Sequence, residues 1–464
     1  MKTNYSLVKR FLFVLPISFF LSSCVLNPFI QSLFNFEQGK KDLNPFLFAL
    51  AIPSQSPEPT KSFAFSNCSP ALQLYKNETQ LLVAVYKENE SNKDSTIQWT
   101  SSNATIASVS ETGLVQAVGV GIATITASSN GLQASCRVRT FSGNLYVSLD
   151  QNNQIYHLTV NQSDGILSPD SSYNVDLAPT GIAADPLGRF LYVANFTTGS
   201  ISKFTINSST GALTANGSLG GITNPRNMVI SPDGNFLYLA AEGNQRILTY
   251  PIQASDGDLL TPLQTDTNAL TANVGISPDG KYLASLVNSL SRVRTYSRNS
   301  TSGELSVAKT SENLSHTGSG NIGFNPNGNY FYLANNAHIF AFQFNQTSGD
   351  FTQIGSATLQ SGSAIANGIC VHPSGNFLYT VGLSDQIVRT YNINQSDGSI
   401  SFANEINTSG GSIRYLVFDP KGKYAYLADN SGDLKSYSVN SQTGALSSLQ
   451  SINLSAGQWN LHFQ

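Results

Sequence analysis

From residue 142 onward the chain alternates short apolar runs with polar turns at a nearly constant interval. A Pro-x-Gly turn between an apolar run and an aromatic run occurs six times, at Pro186, Pro232, Pro278, Pro326, Pro373 and Pro420, with intervals of 46 to 48 residues. A second turn ends in glycine seven times, at Gly165, Gly211, Gly257, Gly303, Gly349, Gly398 and Gly444. A period of this length with several strands per repeat predicts a seven-bladed β-propeller.

Four strands, A to D, are predicted in each repeat, and the third repeat illustrates the pattern. Its predicted strands are A at 227–231, B at 236–241, C at 246–252 and D at 258–264. In the A–B turn proline presets φ and glycine supplies a positive φ, and glycine has the same role in the C–D hairpin. The residues two and four before each proline are nearly all large and apolar. Because side chains alternate along a strand, we expect this face to pack against the neighbouring blade.

The two ends of the repeat region are incomplete in a complementary way. The first repeat begins with a B strand at 144–147, without an A strand before it. Residues 458–464 align with residues 225–231, which belong to a predicted A strand. We therefore predict that the C-terminal strand completes the first blade and removes two open sheet edges.

Residues 61–140 show a different set of short alternating runs, separated by glycine and asparagine turns. One strand is predicted at 81–86, and the short strands that follow predict a small β-sandwich with Trp99 as its buried core aromatic. The run from Trp99 to Ala127, with W-x-S-x-N and G-x-V-x-A-x-G, resembles the group 2 bacterial immunoglobulin-like domain. This resemblance implies a spacer or an adhesive module, and we expect a spacer.

Residues 142–464 resemble the lactonase-type seven-bladed propellers, a family that includes 6-phosphogluconolactonase and muconate-cycloisomerase-like proteins. The resemblance is carried by aromatic strands that follow Pro-x-Gly, such as Phe236-Leu237-Tyr238-Leu239. The expected fold is all-β: a small immunoglobulin-like sandwich followed by a seven-bladed propeller that the C-terminal strand closes.

The N-terminus carries an export signal. Three basic residues precede an apolar run of 11 residues at 11–21, which is too short to span a bilayer and fits a secretory signal. Residues 21–24, Leu-Ser-Ser-Cys, resemble a bacterial lipobox, in which Cys24 is acylated. The alternative is an ordinary signal peptide with a chance cysteine. We predict a signal peptide at 1–23, a proline-containing tether at 24–60, and a lipoprotein anchored to the outer membrane or cell surface.

The charge of the chain limits the classes of partner that we expect. The chain has 25 basic and 28 acidic residues and no basic block, so nucleic acid is not an expected partner.

Cys68 and Cys136 flank the sandwich, and the oxidising compartment that an exported protein enters allows a disulfide between them. Closing a loop of about 70 residues contributes on the order of 4 kcal/mol in the chain-entropy model. Cys370 lies in an apolar run and is interpreted as a small buried hydrophobe.

The candidate site residues lie on one predicted face of the propeller, where the B–C and D–A connections surround the channel mouth. They are Arg226 and Arg414 at the start of A strands, Glu242 and Arg246 at one B–C turn, Asn195, Asn335 and Asp429 at the ends of B strands, and His316 in a D–A connection. Arg226 resembles the Pro-Arg of the lactonase family. With Glu242 it could polarise a lactone carbonyl and activate water. The alternative is that these residues form inter-blade hydrogen bonds. No cofactor or metal site is expected.

Two function hypotheses follow. The connections between repeats are too short to form a lid, and 6-phosphogluconolactone is cytosolic whereas this chain carries an export signal. We therefore expect a surface binding or adhesion protein without enzymatic activity, whose propeller face binds a protein or carbohydrate and whose sandwich is a spacer. The alternative is a lactone hydrolase that uses the channel mouth.

Overall fold

The computed structural model describes residues 59–68, 71–287, 290–314, 320–335, 338–358, 366–382, 385–454 and 457–464. The predicted signal peptide, Cys24, nearly all of the tether, and His316 lie outside the described residues. Within the described ranges, no helix has the length and apolar character needed to cross a bilayer. The export and lipidation predictions therefore stay predictions.

A β-sandwich occupies the N-terminal part of the described chain. Its strands are β1 (Lys61–Phe65), β2 (Leu72–Tyr75), β3 (Thr79–Leu81), β4 (Ala84–Glu88), β5 (Ser91–Asn92), β6 (Gln98–Ser101), β7 (Ala107–Val109), β8 (Leu114–Ala117), β9 (Gly121–Ser129) and β10 (Leu132–Phe141). One sheet has the order β2-β10-β9-β6, and two three-stranded sheets have the orders β1-β4-β5 and β3-β8-β7. Alternate residues of β9 are buried, as a half-buried strand requires. Cys68 and Cys136 form the predicted disulfide.

Two predictions for the sandwich need correction. The strand predicted at 81–86 is interrupted, because the chain leaves β3 and joins a different sheet at β4. At the crossing the Leu82 amide donates to the Gly113 carbonyl and the Val83 amide to Asn67, outside either ladder. Trp99 is half-buried rather than buried; it packs at the side of the core against Phe65, with ring centroids 5.8 Å apart.

Seven four-stranded antiparallel sheets follow within the described residues, as predicted. Blade 1 contains β11 (Asn144–Leu149), β12 (Gln154–Val160), β13 (Leu167–Asn174) and, from the C-terminus, β38 (Gln458–Phe463). Blades 2 to 4 contain β14 (Pro179–Ala184), β15 (Phe190–Asn195), β16 (Ser200–Ile206), β17 (Leu213–Leu219), β18 (Pro225–Ile230), β19 (Phe236–Ala241), β20 (Arg246–Pro251), β21 (Leu263–Asp266), β22 (Thr271–Ile276), β23 (Tyr282–Val287), β24 (Arg292–Arg298) and β25 (Leu305–Thr310). Blades 5 to 7 contain β26 (Asn321–Phe324), β27 (Tyr330–Asn335), β28 (His338–Phe344), β29 (Phe351–Thr358), β30 (Ala366–Val371), β31 (Phe377–Gly382), β32 (Ile387–Ile393), β33 (Ile400–Asn407), β34 (Ile413–Phe418), β35 (Tyr424–Asp429), β36 (Asp433–Val439) and β37 (Leu446–Asn453).

The D strand of blade 3 begins later than predicted. It runs over Leu263–Asp266 instead of starting at residue 258. The preceding segment makes a single bridge, between Ile252 and Leu259. Pro251 and Pro262 lack the N–H that a continuous ladder would need.

The C-terminal strand closes the ring as predicted. β38 pairs antiparallel with β11, so that Leu461 lies opposite Val147 and is buried. The Gln464 carbonyl accepts bonds from the Gly143 and Asn144 amides, each at 2.9 Å. The first blade is therefore built from both ends of the propeller sequence.

A buried tyrosine connects most blades to the next one. The third residue of strand B donates its hydroxyl hydrogen bond to the carbonyl of the C–D turn glycine in the following blade, 65 or 66 residues away. The bonds are Tyr146 to Gly211, Tyr192 to Gly257, Tyr238 to Gly303, Tyr332 to Gly398 and Tyr379 to Gly444, at 2.6 to 3.1 Å. In blade 4, where Ala284 takes this position, the Thr295 hydroxyl donates to the Gly349 carbonyl at 2.7 Å.

Each C–D turn also requires glycine for two reasons. Gly257 has φ +77°, in the left-handed region that glycine adopts without strain. A Cβ there would lie 2.6 Å from the Phe190 ring of the preceding blade. The turn thus fits directly beneath the aromatic residue that begins strand B of its neighbour.

The sandwich packs on the bottom face of the propeller, where the A–B turns lie. The Tyr75 hydroxyl donates to Asp419 at 2.9 Å, and Lys421 pairs with Glu78 at 2.7 Å. Only residues 142 and 143 separate β10 from β11, and residues 59–464 form one compact unit. The sandwich and the propeller therefore form one unit, and the role of the sandwich as a spacer stays a prediction.

Closure by β38 predicts a strong dependence of stability on Leu461. Leu461→Ala removes a fully packed side chain, so we expect the free energy of unfolding to fall by about 2–5 kcal/mol. Leu449→Ala, the same change on the exposed outer strand β37, should alter it by less than about 0.5 kcal/mol. Urea unfolding measures both. Equal stabilities of the two variants, or an unchanged melting temperature after deletion of residues 459–464, would contradict the closure.

The tyrosine contact predicts a cost for removing one hydroxyl. Tyr192→Phe leaves the Gly257 carbonyl buried without its donor, so we expect a loss of about 1–3 kcal/mol of unfolding free energy. Tyr156→Phe, at a half-buried position on β12, is the matched control and should change stability by less than about 0.5 kcal/mol. The interpretation fails if both variants unfold at the same urea concentration as the unchanged protein.

Candidate active site at the channel mouth

The A strands surround the central channel, and each contacts the A strand of the next blade. Because the sandwich covers the bottom face, the described part of the chain leaves the top face as the approach to the channel. The B–C turns and the starts of the A strands form this top mouth. Most of the candidate residues from the sequence belong to these segments.

Arg226 and Glu242 form an ion pair at the mouth. Arg226 is the second residue of β18, and Glu242 begins the short 3₁₀ helix Glu242–Asn244 that follows β19. β18 and β19 are antiparallel neighbours, so the two side chains meet, with Nε of Arg226 2.8 Å from Oε2 of Glu242. The guanidinium lies 4.3 Å from the ring centroid of Phe196, a residue of blade 2. The ion pair and the ring together fix the guanidinium plane.

Below this pair a polar ring lines the channel. Asn227, Asn321 and Tyr415 lie five residues before the Pro-x-Gly proline of their blades, and Asn460 takes the position of Asn227 in the closing strand β38. They line a cavity of 210 Å³ whose walls include Ile369 and Leu461. The three amides lie near the Tyr415 hydroxyl and affect its titration. Burial raises the pKa of Tyr415, and the amides and the Arg226 charge partly oppose that rise.

A second guanidinium and carboxylate approach one another between blades 7 and 1. Arg414 is the second residue of β34, and Asp150 follows β11 as Glu242 follows β19. Burial lowers the pKa of Arg414 and raises that of Asp150, and each charge opposes the shift of the other. The mouth thus contains two basic groups, each near an acidic one.

Other candidates have partners that hold them elsewhere. Asn195 is fully buried, and its amide donates to the hydroxyls of Ser200 and Ser202 in its own blade. Arg246 turns to the outer strand, where its Nε lies 2.6 Å from Asp266. Asp429 is buried against Lys435 at 3.2 Å. The structure does not bring these three side chains together with Arg226. Asn335 ends β27, and only its backbone is described.

Sequence reasoning missed Tyr415 and the asparagine ring. The sequence did contain a signal for them. Asparagine recurs at one position of the otherwise apolar A strands, and alignment of the repeats reveals it. Cys370, expected to be buried, is half-buried and lines the same cavity. Burial raises the pKa of its thiol to about 12, so the sulfur stays protonated at neutral pH.

The mouth therefore combines a fixed guanidinium, a carboxylate and a cavity with amide and hydroxyl groups. Hydrogen-bond donors held in a partly dehydrated site stabilise negative charge that develops on a carbonyl oxygen. A carboxylate within reach can remove a proton from water. This arrangement suits hydrolysis of a small polar carbonyl compound.

Comparison with protein families supports the two parts of the chain separately. The family described as lactonase, 7-bladed beta-propeller, matches residues 181–273, 221–318 and 273–459. The family described as bacterial Ig-like domain, group 2, matches residues 61–138. Both resemblances stated from the sequence are confirmed.

Individual proteins show the same likeness. The 6-phosphogluconolactonase of Bacillus subtilis is 27% identical over 141 residues, which are 29% of this chain and 40% of that protein. The chain thus matches about two fifths of the length of this curated relative. The periplasmic gluconolactonase PpgL of Pseudomonas aeruginosa is similar with a TM-score of 0.62 and 20% identity, over 69% of this chain and 98% of that one. A 6-phosphogluconolactonase candidate from Bacteroides uniformis has a TM-score of 0.63 and 21% sequence identity. The similarity covers 69% of this chain and 99% of that one. At these identities the structural similarity shows the fold alone.

These findings correct the expected function. The propeller matches a lactonase family, and its curated relative and structural neighbours include lactonases rather than adhesins. The expectation of a binding or adhesion module is therefore wrong, and the expectation that the chain has no enzymatic activity is not supported. The argument from connection length failed because the polar groups at the mouth come from the inner strands and short turns, which need no lid.

Proposed function

Because this chain belongs to the lactonase family of seven-bladed β-propellers, we propose that it hydrolyses a lactone at the top mouth of its channel. The observation that carries the proposal is the Arg226–Glu242 ion pair directly above the polar ring of Tyr415 and three asparagines. The position of the ion pair and its chemistry support this end of the channel as the site.

The proposed reaction needs only water as co-substrate. Glu242 removes a proton from a water molecule whose oxygen attacks the lactone carbonyl carbon. The Arg226 guanidinium donates hydrogen bonds to the oxyanion that forms. The ring C–O bond then breaks, and Glu242 returns the proton to the leaving oxygen. The product is the open-chain hydroxy acid, which ionises in water.

The substrate class follows from the charge and polarity of the mouth. The amides and the Tyr415 hydroxyl can bind the hydroxyl groups of a sugar-derived lactone. Among the described residues of the mouth, both Arg226 and Arg414 already face a carboxylate. No uncompensated positive charge is thus left there for a phosphate group. We therefore favour a neutral aldonolactone such as δ-gluconolactone over its 6-phosphate.

The kinetic test measures acid release from δ-gluconolactone, with spontaneous hydrolysis subtracted. Arg226→Ala and Glu242→Gln should each lower kcat/KM by about 100-fold or more. Arg246→Ala is the matched control and should retain the original value, because Arg246 turns to the outer strand. The 6-phosphorylated lactone should give a lower kcat/KM than the neutral one.

The proposal is wrong if the purified protein accelerates hydrolysis of no lactone in a panel of sugar and simple aliphatic lactones. It is equally wrong if both Arg226→Ala and Glu242→Gln hydrolyse the lactone at the original rate.

We also propose that the protein works outside the cytoplasm, held to a membrane through acylated Cys24. The signal-like N-terminus supports this location, and a fold neighbour is a periplasmic gluconolactonase. Labelled palmitate should enter the unchanged protein and not Cys24→Ser. Equal labelling of both proteins would contradict acylation of Cys24.

A further inference from the structure

A second, larger cavity lies at the opposite end of the channel, between the propeller and the sandwich. We call it the lower chamber. Its volume is 610 Å³, within the range of small-molecule sites. On the propeller side its rim is formed by the six prolines of the Pro-x-Gly turns: Pro186, Pro232, Pro278, Pro326, Pro373 and Pro420. Ile182 lines both this chamber and the upper cavity, so the two are neighbours along the channel.

The sandwich supplies the basic groups of the lower chamber through the alternation of β10. Cys136 and Val138 are buried in the sandwich core. The intervening residues Arg137, Arg139 and Phe141 consequently face the propeller and line the chamber. Nη1 of Arg137 donates to the Pro278 carbonyl at 3.4 Å, whereas the Arg139 guanidinium lies 4.9 Å from the Phe141 ring centroid.

Arg139 is a cation without a compensating carboxylate among the described residues. No ion pair among the described residues involves Arg139. The charged side chain that affects its pKa is Arg137, which is also positive. Arg139 is an exposed residue of β10 that lines the chamber. Loss of hydration there lowers its pKa to about 10, with a further contribution from Arg137. The guanidinium nevertheless remains charged at neutral pH.

The remaining titratable groups of the chamber do not neutralise Arg139. His462 lies on the propeller wall, and burial together with the Arg139 charge lowers its pKa to about 4, so it is uncharged at neutral pH. The carboxylate of Asp419 accepts bonds from the Tyr75 hydroxyl at 2.9 Å and the Tyr424 amide at 2.6 Å. The Asp419 oxygens are thus engaged at the edge of the sandwich.

The rest of the lower chamber is largely apolar. Met228, Ile230, Phe324, Phe418 and Phe463 belong to the lower ends of four A strands and line it. A ligand that fits must therefore offer an anionic group at one end and a hydrocarbon surface at the other. An ion pair formed in such a site is less screened than one in water.

We propose that the lower chamber binds an aliphatic carboxylate, whose carboxyl group pairs with Arg139 and whose chain lies against the apolar ends of the A strands. This site shares none of its polar residues with the top mouth. It gives the sandwich a role in ligand binding. A ligand held there would contact both the sandwich and the propeller, and would stabilise the whole unit by binding to the folded state.

Isothermal titration of the full chain with decanoate tests the proposal. We expect saturable binding of one decanoate per chain. Decanol, which lacks the charge, and butyrate, which lacks the long chain, should each bind at least tenfold more weakly. Arg139→Met keeps an apolar side chain of similar reach, and should lose at least tenfold in affinity. Arg139→Lys should bind with intermediate affinity because it keeps the charge.

The control variant is Arg226→Ala, which alters the top mouth and should bind decanoate with unchanged affinity. Loss of binding in this variant would place the carboxylate at the lactone site and overturn the proposal. So would the absence of saturable binding to the unchanged protein, or unchanged affinity in Arg139→Met. The melting temperature of each variant without ligand confirms that it is folded. Because the readout is binding, a failure here leaves lactone hydrolysis unaffected, and the reverse also holds.

Discussion

The hydrogen bond from a buried tyrosine of one blade to the C–D turn of the next is the contact on which the ring depends. Apolar packing between blades, as between Met228 and Tyr192, is strong but has little directional preference. A hydroxyl bonded to a defined carbonyl sets the position of each blade on its neighbour. Burial raises the pKa of these hydroxyls, to about 12 for Tyr238, so they remain donors at neutral pH. Blade 4, which lacks the tyrosine, keeps the same kind of bond through Thr295.

Repetition made most of this fold predictable. The Pro-x-Gly and C–D glycine turns marked every blade, and the unpaired ends predicted that β38 would join β11. The errors arose where a segment depends on contacts distant in sequence. The chain changes sheets at Leu82 because another sheet accepts β4, and two prolines delay the D strand of blade 3. Local alternation cannot show either effect.

The site was predictable only in part, because some of its residues come together through contacts that are distant in sequence. Arg226 and Glu242, two of the candidate residues, lie 16 residues apart in one blade, and the structure brings their side chains together. Tyr415 meets asparagines from blades 1, 3 and 5 only after the ring has closed. The packing of the sandwich on the bottom face likewise involves residues such as Tyr75 and Asp419, 344 positions apart. That contact favours access to the channel from its top, where the lactonase chemistry is proposed, and places the lower chamber between the sandwich and the propeller.

The pairing of β38 with β11 also constrains the order of assembly during synthesis. The sandwich and the first three strands of blade 1 leave the ribosome early, but residues 458–463 come more than 280 positions after β13. Until then the apolar strand β11 has one unpaired edge, to which another growing chain could add. Blade 1 therefore keeps an open edge until the last strand of the propeller is available, and mispairing at β11 is possible until then.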